Sequence, residues 1–227
     1  MNIALILAGG LGARLGGEIP KQYIEIRNKP IITYCLETFE KHQDIDFIQI
    51  VADEVWHNFV LQQVKEKFKG FSRPGNNRQL SILNGLEDIR QYAEEGDTII
   101  IHDAARPLVS QEMIANCVAT CQQYNGVIPV LPMKDTIYFG QNQRITKLIP
   151  REGVFIGQAP EAFKLGVYLE ANKRLLPDEI LKINGSTEPA ILAGMDIKLI
   201  KGDEQNFKIT TTEDLERFKQ IIENRGI

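Results

Sequence analysis

Ile3-Ala4-Leu5-Ile6-Leu7 is an unbroken apolar run that breaks at once into Ala8-Gly9-Gly10-Leu11-Gly12-Ala13-Arg14. A short run without polar alternation has to be covered on both faces, which is the situation of a central strand in an α/β sheet. The glycines that follow let the backbone turn sharply and approach a ligand with no side chain in between. Backbone N–H groups presented this way, backed by Arg14 and by Lys21 of the nearby Pro20-Lys21-Gln22, make a cradle suited to a polyphosphate. Two commoner glycine loops do not fit. A dinucleotide fingerprint on Gly10-x-Gly12 needs a third glycine at position 15, where Leu15 stands, and no Gly-Lys-Ser/Thr is present for a Walker-type loop.

The remaining chain alternates helical and strand patterns, so the fold class is α/β. Pro30 opens a helical pattern with Ile31, Ile32, Cys35 and Phe39 on one face, and Phe47 to Val51 reads as the next strand. A helix is expected from Val55 to Phe68, a loop from Ser72 to Asn77, a helix carrying Ile82, Leu83, Leu86 and Ile89, and a buried strand from Thr98 to Ile101. Ser110 can cap a further helix, and Val127 to Leu131 reads as a strand. Thr136 to Phe139 and Ile145 to Leu148 flank a polar Gly140-Gln141-Asn142-Gln143 turn, the pattern of a protruding β-hairpin. A two-stranded ribbon is marginal alone, so the body or a second subunit should cover it, and a dimerisation arm over residues 133–156 is the reading adopted. The C-terminal part gives a helix from Pro160 to Leu175, a strand from Ile197 to Ile200 and a last helix that Thr211 and Asp214 can open as a capping box.

With 227 residues and no linker-like change of composition, residues 1–227 are read as a single domain with one sizeable core. The net charge of −4 argues against a surface that coats nucleic acid, so any anion site must be local. Cys35, Cys117 and Cys121 read as packing residues of a protein in a reducing compartment, and the scattered His42, His57 and His102 offer no spacing for a structural zinc. The chain starts on a core strand without a basic leader, and no apolar run reaches the roughly 18 residues of a membrane span. A cytoplasmic protein with no membrane or nucleic-acid partner is expected.

Chemistry concentrates where the strands end. The run Thr98 to Ile101 leads into His102-Asp103-Ala104-Ala105-Arg106-Pro107, which puts Asp103 at the carboxyl edge of a buried strand, where open α/β sheets bind ligands. A carboxylate there can hold Mg²⁺, which takes oxygen ligands and shares its shell with substrate phosphates. Arg106 can orient a phosphate. Gly75-Asn76-Asn77-Arg78-Gln79-Leu80-Ser81 combines glycine, amides and a hydroxyl able to read the edge of a base, and in Asn206-Phe207-Lys208-Ile209-Thr210 the alternation puts Lys208 and Thr210 on one side. These segments supply cations and a carboxylate without a nucleophile paired to a base, so charge stabilisation is the implied strategy, as in phosphoryl and nucleotidyl transfer.

Ala8-Gly9-Gly10-x-Gly12-x-Arg14, Pro20-Lys21-Gln22, Arg78-x-x-Ser81, His102 to Pro107, Asp135-Thr136, Gln158-x-Pro160 and Asn206-x-Lys208-x-Thr210 occur in an order that resembles the cytidylyltransferases acting on 2-C-methyl-D-erythritol 4-phosphate and on ribitol 5-phosphate. The resemblance runs over nearly the whole chain. It implies a Rossmann-like three-layer nucleotidyltransferase fold, CTP and Mg²⁺ as partners, and attack of an acceptor phosphate on the α-phosphorus with pyrophosphate leaving. It makes Arg14, Lys21 and Lys208 the catalytic cations and Asp103 the metal ligand. Ala8, Gly9, Gly10, Gly12, Gly75, Asn76, Arg78 and Ser81 become nucleotide-binding residues, with Asn76 standing where an acidic residue is often found. Arm exchange in a homodimer would bring Thr136 and Arg151 to a partner's acceptor site, which Arg106 and Thr210 complete.

Two segments bear on the acceptor. Asn184-Gly185-Ser186-Thr187-Glu188-Pro189-Ala190 departs from the Thr-Asp-Glu-Ala-Ser-like stretch of the methylerythritol enzymes, whereas Gly157-Gln158-Ala159-Pro160-Glu161 is closer to the Gly-Gln-Thr-Pro-Gln of the ribitol-phosphate enzymes. A ribitol 5-phosphate-type acceptor is therefore favoured over the isoprenoid precursor. An NAD-dependent oxidoreductase and a non-catalytic nucleotide sensor are the readings from other classes.

Overall fold

The structure, a computed structural model, describes residues 1–10 and 19–225, so Gly12 and Arg14 lie outside the described residues. The opening apolar run forms β1 (Asn2–Leu7), and the strictly alternating direction of strand side chains divides it between two layers. Ala4 and Ile6 join one hydrophobic cluster, while Ile3 and Leu5 join another on the opposite face. After the minor pair β2 (Glu25–Ile26) and β3 (Lys29–Pro30), α1 (Ile31–Lys41) packs Ile32, Cys35, Leu36 and Phe39 into the first cluster. There follow β4 (Phe47–Val51), α2 (His57–Leu61), β5 (Phe68–Ser72), α3 (Arg78–Ile89), β6 (Thr98–Asp103), α4 (Gln111–Cys121) and β7 (Gly126–Pro132). The hairpin β8 (Ile137–Gln141) and β9 (Arg144–Ile149) precedes β10 (Phe155–Gly157) and β11 (Glu161–Lys164). The chain ends with α5 (Leu165–Lys173), α6 (Glu188–Leu192), β12 (Ile197–Lys201) and α7 (Thr212–Asn224).

The main sheet runs β7-β11-β6-β1-β4-β5, with β12 on the outer side of β7 and β10 paired to the end of β7 beside β11. β1, β4, β5 and β6 are parallel, and β11 is inserted antiparallel between β6 and β7. Helices α1 and α4 cover one face and α3 and α5 the other, which makes three layers. A third cluster, with Tyr34, Ile209, Phe218 and Ile222, docks α7. The capping box expected at Thr211 and Asp214 is formed, as is the Ser110 cap of α4.

Two expected helices are corrected. The helix read from Val55 to Phe68 stops at Leu61, and Phe68–Ser72 is instead the edge strand β5 beside β4. Val64, Phe68 and Phe71 pack against the first cluster, so their helical-looking spacing served a strand and its approach. The helix read from Pro160 loses its first turn to β11, where Ala162 enters one cluster and Phe163 the other. Only four residues carry that alternation, too few to stand out from the helix behind them.

The hairpin is formed and, among the described residues, its strands pair only with each other. It leaves Tyr138, Phe139, Ile145 and Leu148 each more than half exposed, at 56%, 59%, 68% and 58%. No helix among the described residues is long and apolar enough to cross a membrane.

Candidate active site

Parity along β6 decides what faces the cleft. Ile99 and Ile101 point to the α3 layer, so Asp103, two residues on, ends the strand on that side, while His102 turns the other way against Phe39. The first residue of α3 is Arg78, and its Nε and Nη2 donate to Asp103 Oδ1 at 3.3 and 3.2 Å. Lys208 Nζ lies 3.0 Å from Oδ2, and Arg106 Nε lies 3.5 Å from the same oxygen, an ion pair without a hydrogen bond. Burial alone would raise the Asp103 pKa; Arg78, then Lys208 and Arg106, outweigh it and hold the carboxyl well below the usual range. Asp103 is thus a fixed anion under three cations.

The loops around it converge on a cleft of about 530 Å³. Gly9, Gly10, Lys21, Gly75, Asn76, Arg78, Ser81, Asp103, Lys208 and Thr210, all singled out in the sequence, line it together with Gln22, Val51 and Ala105. Gly9 is required by close packing, since a Cβ there would come within 2.8 Å of Pro74. Gly75 is more constrained, because a Cβ would meet Leu80 and the Ser81 backbone at 2.3–2.8 Å. Asn77 caps α3 by accepting from Leu80 N–H at 2.8 Å, and Ser81 Oγ accepts from Gly75 N–H at 2.9 Å while donating to the Asn77 carbonyl at 3.0 Å. The turn before α3 is thereby locked, with the Asn76 side chain left exposed in the cleft. Ile209 N–H donates to Ala105 O at 2.9 Å, which pins the segment bearing Lys208 and Thr210 to the end of β6.

Four candidates stand apart from the cleft lining. Ala8 is buried, and Arg106 pairs with Asp103 through Nε while its Nη1 donates to the Asn206 carbonyl at 2.8 Å. Thr136 and Arg151 sit at the base of the hairpin, where Arg151 Nη1 donates to the Lys134 carbonyl at 2.8 Å. Thr210 lines the cleft, but its hydroxyl donates to Asp214 Oδ2 at 2.8 Å in the cap of α7.

Two residues with roles here were not singled out by the sequence. Gln22 bonds the glycine loop from within the cleft, and the pairing of Pro20-Lys21-Gln22 with an early glycine run was the available signal. Glu161 is buried beside Ile101 and accepts from Ser186 Oγ at 2.7 and 2.6 Å and from Thr187 Oγ1 at 2.9 Å. Burial pushes its pKa up against the opposing pull of Arg78, Ser186 and Thr187. In the sequence it appears only as the last residue of Gly157-Gln158-Ala159-Pro160-Glu161, with nothing local to show its partners.

A larger groove of about 870 Å³ lies at α5, where Arg90 pairs with Glu95 at 3.5 Å and Lys173 with Glu170 at 3.8 Å, and where, among the described residues, Lys164 and Arg174 do not converge on a shared acid. The smaller cleft is where cations converge on one carboxylate. As a metal site it offers a single ionised oxygen ligand, and the described residues hold no group of three or more His, Cys, Asp or Glu able to close a shell. With Oδ1 engaged by Arg78 and Oδ2 by Lys208, a Mg²⁺ there would have to share or displace one of these cations and draw its other ligands from substrate phosphates and water, and the donor set does not fit a metal held by protein alone.

A site that gathers cations around one acid, on an open α/β sheet with its loops at the strand ends, is suited to neutralising phosphate charge, and the class it matches is the nucleotidyltransferases. Residues 2–224 match the model of the family described as IspD, 2-C-methyl-D-erythritol 4-phosphate cytidylyltransferase, and the chain belongs to that family. Among its relatives are the ribitol-5-phosphate cytidylyltransferase of Lacticaseibacillus paracasei, 31% identical over 100% of both chains, and the 2-C-methyl-D-erythritol 4-phosphate cytidylyltransferase of Geobacter metallireducens, 35% identical over 98% of this chain and 97% of the relative. A crystal structure of 4-diphosphocytidyl-2C-methyl-D-erythritol synthase superposes with a TM-score of 0.83 at 25% identity, covering 97% of this chain and 98% of that one.

Proposed function

We propose that this enzyme transfers the cytidylyl group of CTP to the phosphate of a sugar-alcohol phosphate, with ribitol 5-phosphate favoured as the acceptor. An acceptor phosphate oxygen attacks the α-phosphorus, the bond to the bridging oxygen breaks, and pyrophosphate leaves with the electron pair, giving a CDP-alcohol. Lys21 and Lys208 neutralise charge that grows on the non-bridging and leaving oxygens, and Arg14 joins them on the strength of its place in the glycine loop. Asp103 would hold Mg²⁺, which when bound supplies further charge neutralisation. The nucleoside is assigned to the uncharged wall of Val51, Gly75, Asn76 and Ser81, because Arg78, Arg106 and Lys208 are drawn to Asp103 at the end of β6. Asp103 beneath Arg78, Arg106 and Lys208 is the observation that carries this reading.

The acceptor preference rests on segments that lie outside the cleft lining. Ser186 and Thr187 hold Glu161, which acts electrostatically on Arg78 and so ties this stretch to the cleft. The exposed apolar hairpin supports a homodimer in which the arm carries Thr136 and Arg151 to the partner's cleft. Pyrophosphate release with Mg²⁺ and CTP, measured against ribitol 5-phosphate and 2-C-methyl-D-erythritol 4-phosphate, tests the proposal. Release with the ribitol substrate supports it, release with the methylerythritol substrate alone reverses the acceptor, and silence with both refutes the assignment.

A further inference from the structure

Gln22 is 3% exposed, and its Nε2 donates to two carbonyls of the loop after β1, Ala8 O at 2.6 Å and Gly10 O at 2.9 Å. Both partners are carbonyl oxygens, which only accept, so the amide nitrogen and not the amide oxygen must face them. A primary amide has the two hydrogens this needs on one atom; a carboxylate of the same shape has none. The Ala8 carbonyl also accepts from Tyr23 Oη at 3.1 Å, and the Tyr23 ring is itself held, stacked on Trp56 at 4.3 Å and edge-on to Phe59 at 5.7 Å.

The consequence follows from the peptide plane. In a trans peptide the C=O and the following N–H point in opposite directions. Holding the Ala8 carbonyl on Gln22 and Tyr23 therefore fixes the Gly9 N–H on the opposite side of that peptide, and Gly9 lines the cleft. Lys21 precedes Gln22 in the same short turn, whose Tyr23 N–H donates to Pro20 O at 2.9 Å, so one anchor sets both the loop amide and the neighbouring cation.

We infer that Gln22, seconded by Tyr23, is a positioning residue that fixes the orientation of the Gly9–Gly10 backbone toward the phosphates of the nucleotide. It acts through the loop, and it rests on the proposed reading only in that the phosphates belong to CTP.

The test is calorimetric titration of the full chain with CTP, inorganic triphosphate and cytidine, in the wild type, Gln22→Met and Tyr23→Phe. Gln22→Met keeps the length of the side chain and removes both donors; losing two bonds to the loop should weaken CTP and inorganic triphosphate about tenfold or more, with cytidine within about twofold. Tyr23→Phe strips one bond, leaves the ring stack, and should weaken both phosphate ligands about threefold, a readout that stands if Gln22→Met fails to fold. In turnover, KM for CTP rises while kcat changes little, because the loop holds the triphosphate before and during reaction. Equal loss of CTP and cytidine would reduce Gln22 to a general structural residue, and unchanged triphosphate affinity in both variants would overturn the inference. A wild type that binds inorganic triphosphate but not CTP would instead sink the cytidylyl reading and leave the loop inference intact.

Discussion

Replacing Asp103 by Asn keeps the shape of the side chain and removes the charge that three cations share. At an effective dielectric near 20, a unit pair about 3 Å apart is worth roughly 5 kcal/mol before desolvation. Lys208 stands at 3.0 Å, Arg78 at 3.2 Å and Arg106 at 3.5 Å. Burial of the acid consumes most of that attraction, and the lysine and Arg78 side chains keep 35% and 33% of their exposure, so the net loss belongs at the lower end of the range for breaking a buried pair, about 3 kcal/mol. For a chain of this size that lowers Tm by about 6–12 °C. Urea denaturation at neutral pH measures it, and a cycle with Lys208→Met isolates the pair: the double variant should be less destabilised than the sum of the single ones by about 1 kcal/mol or more. The pH dependence has a definite sign. Because the folded pKa is depressed, the stabilisation is complete above the unfolded carboxyl value near 4 and fades only as the pH falls further, so Asp103→Asn should flatten the acid limb. Stability within about 0.5 kcal/mol of wild type, with additive mutations, would refute the idea that this carboxylate organises the cations.

Lys21→Ala should lower turnover about a hundredfold or more with the fold unchanged by circular dichroism, and near-normal turnover would remove it from the machinery. Gly75→Ala forces a Cβ to within 2.3 Å of Leu80, so it should cost about 1–3 kcal/mol in a denaturation curve and loosen nucleotide binding by titration. His102 is held neutral by burial with its pKa lowered to about 4, so the unfolded chain takes up a proton first as the pH drops. Between about pH 6.5 and 4 this removes roughly 3 kcal/mol of stability, a slope that His102→Asn should abolish. Deleting the hairpin tip between Phe139 and Ile145 should convert the proposed dimer to monomer in light scattering, and an unchanged mass would assign the contact elsewhere.

The legible parts of this molecule were those whose signal is local. The apolar runs at Ile3–Leu7 and Thr98–Ile101 are central strands because nothing but a two-faced core accommodates them, and their parity carries through to where Asp103 points. Most candidate cleft residues also come together, since four loops after parallel strands end on the same edge. β11 was hidden because its meaning comes from partners far away: Ala162 and Phe163 are strand residues only once β6 and β7 flank them. β5 likewise exists by pairing with β4. Glu161 is unreadable for the same reason, its hydroxyl partners being Ser186 and Thr187, some 25 residues on. Gln22 fell between, visible in a motif but with its role set by the direction of two carbonyls.

The most direct measurement is phosphorus NMR of the wild-type enzyme with CTP, Mg²⁺ and ribitol 5-phosphate. The CTP and phosphomonoester signals should decline together while a diphosphate diester and free pyrophosphate grow in equal amounts. Conversion of CTP to CDP or CMP with the phosphomonoester untouched would contradict cytidylyl transfer, because the cleft would then be activating water and not a second phosphate.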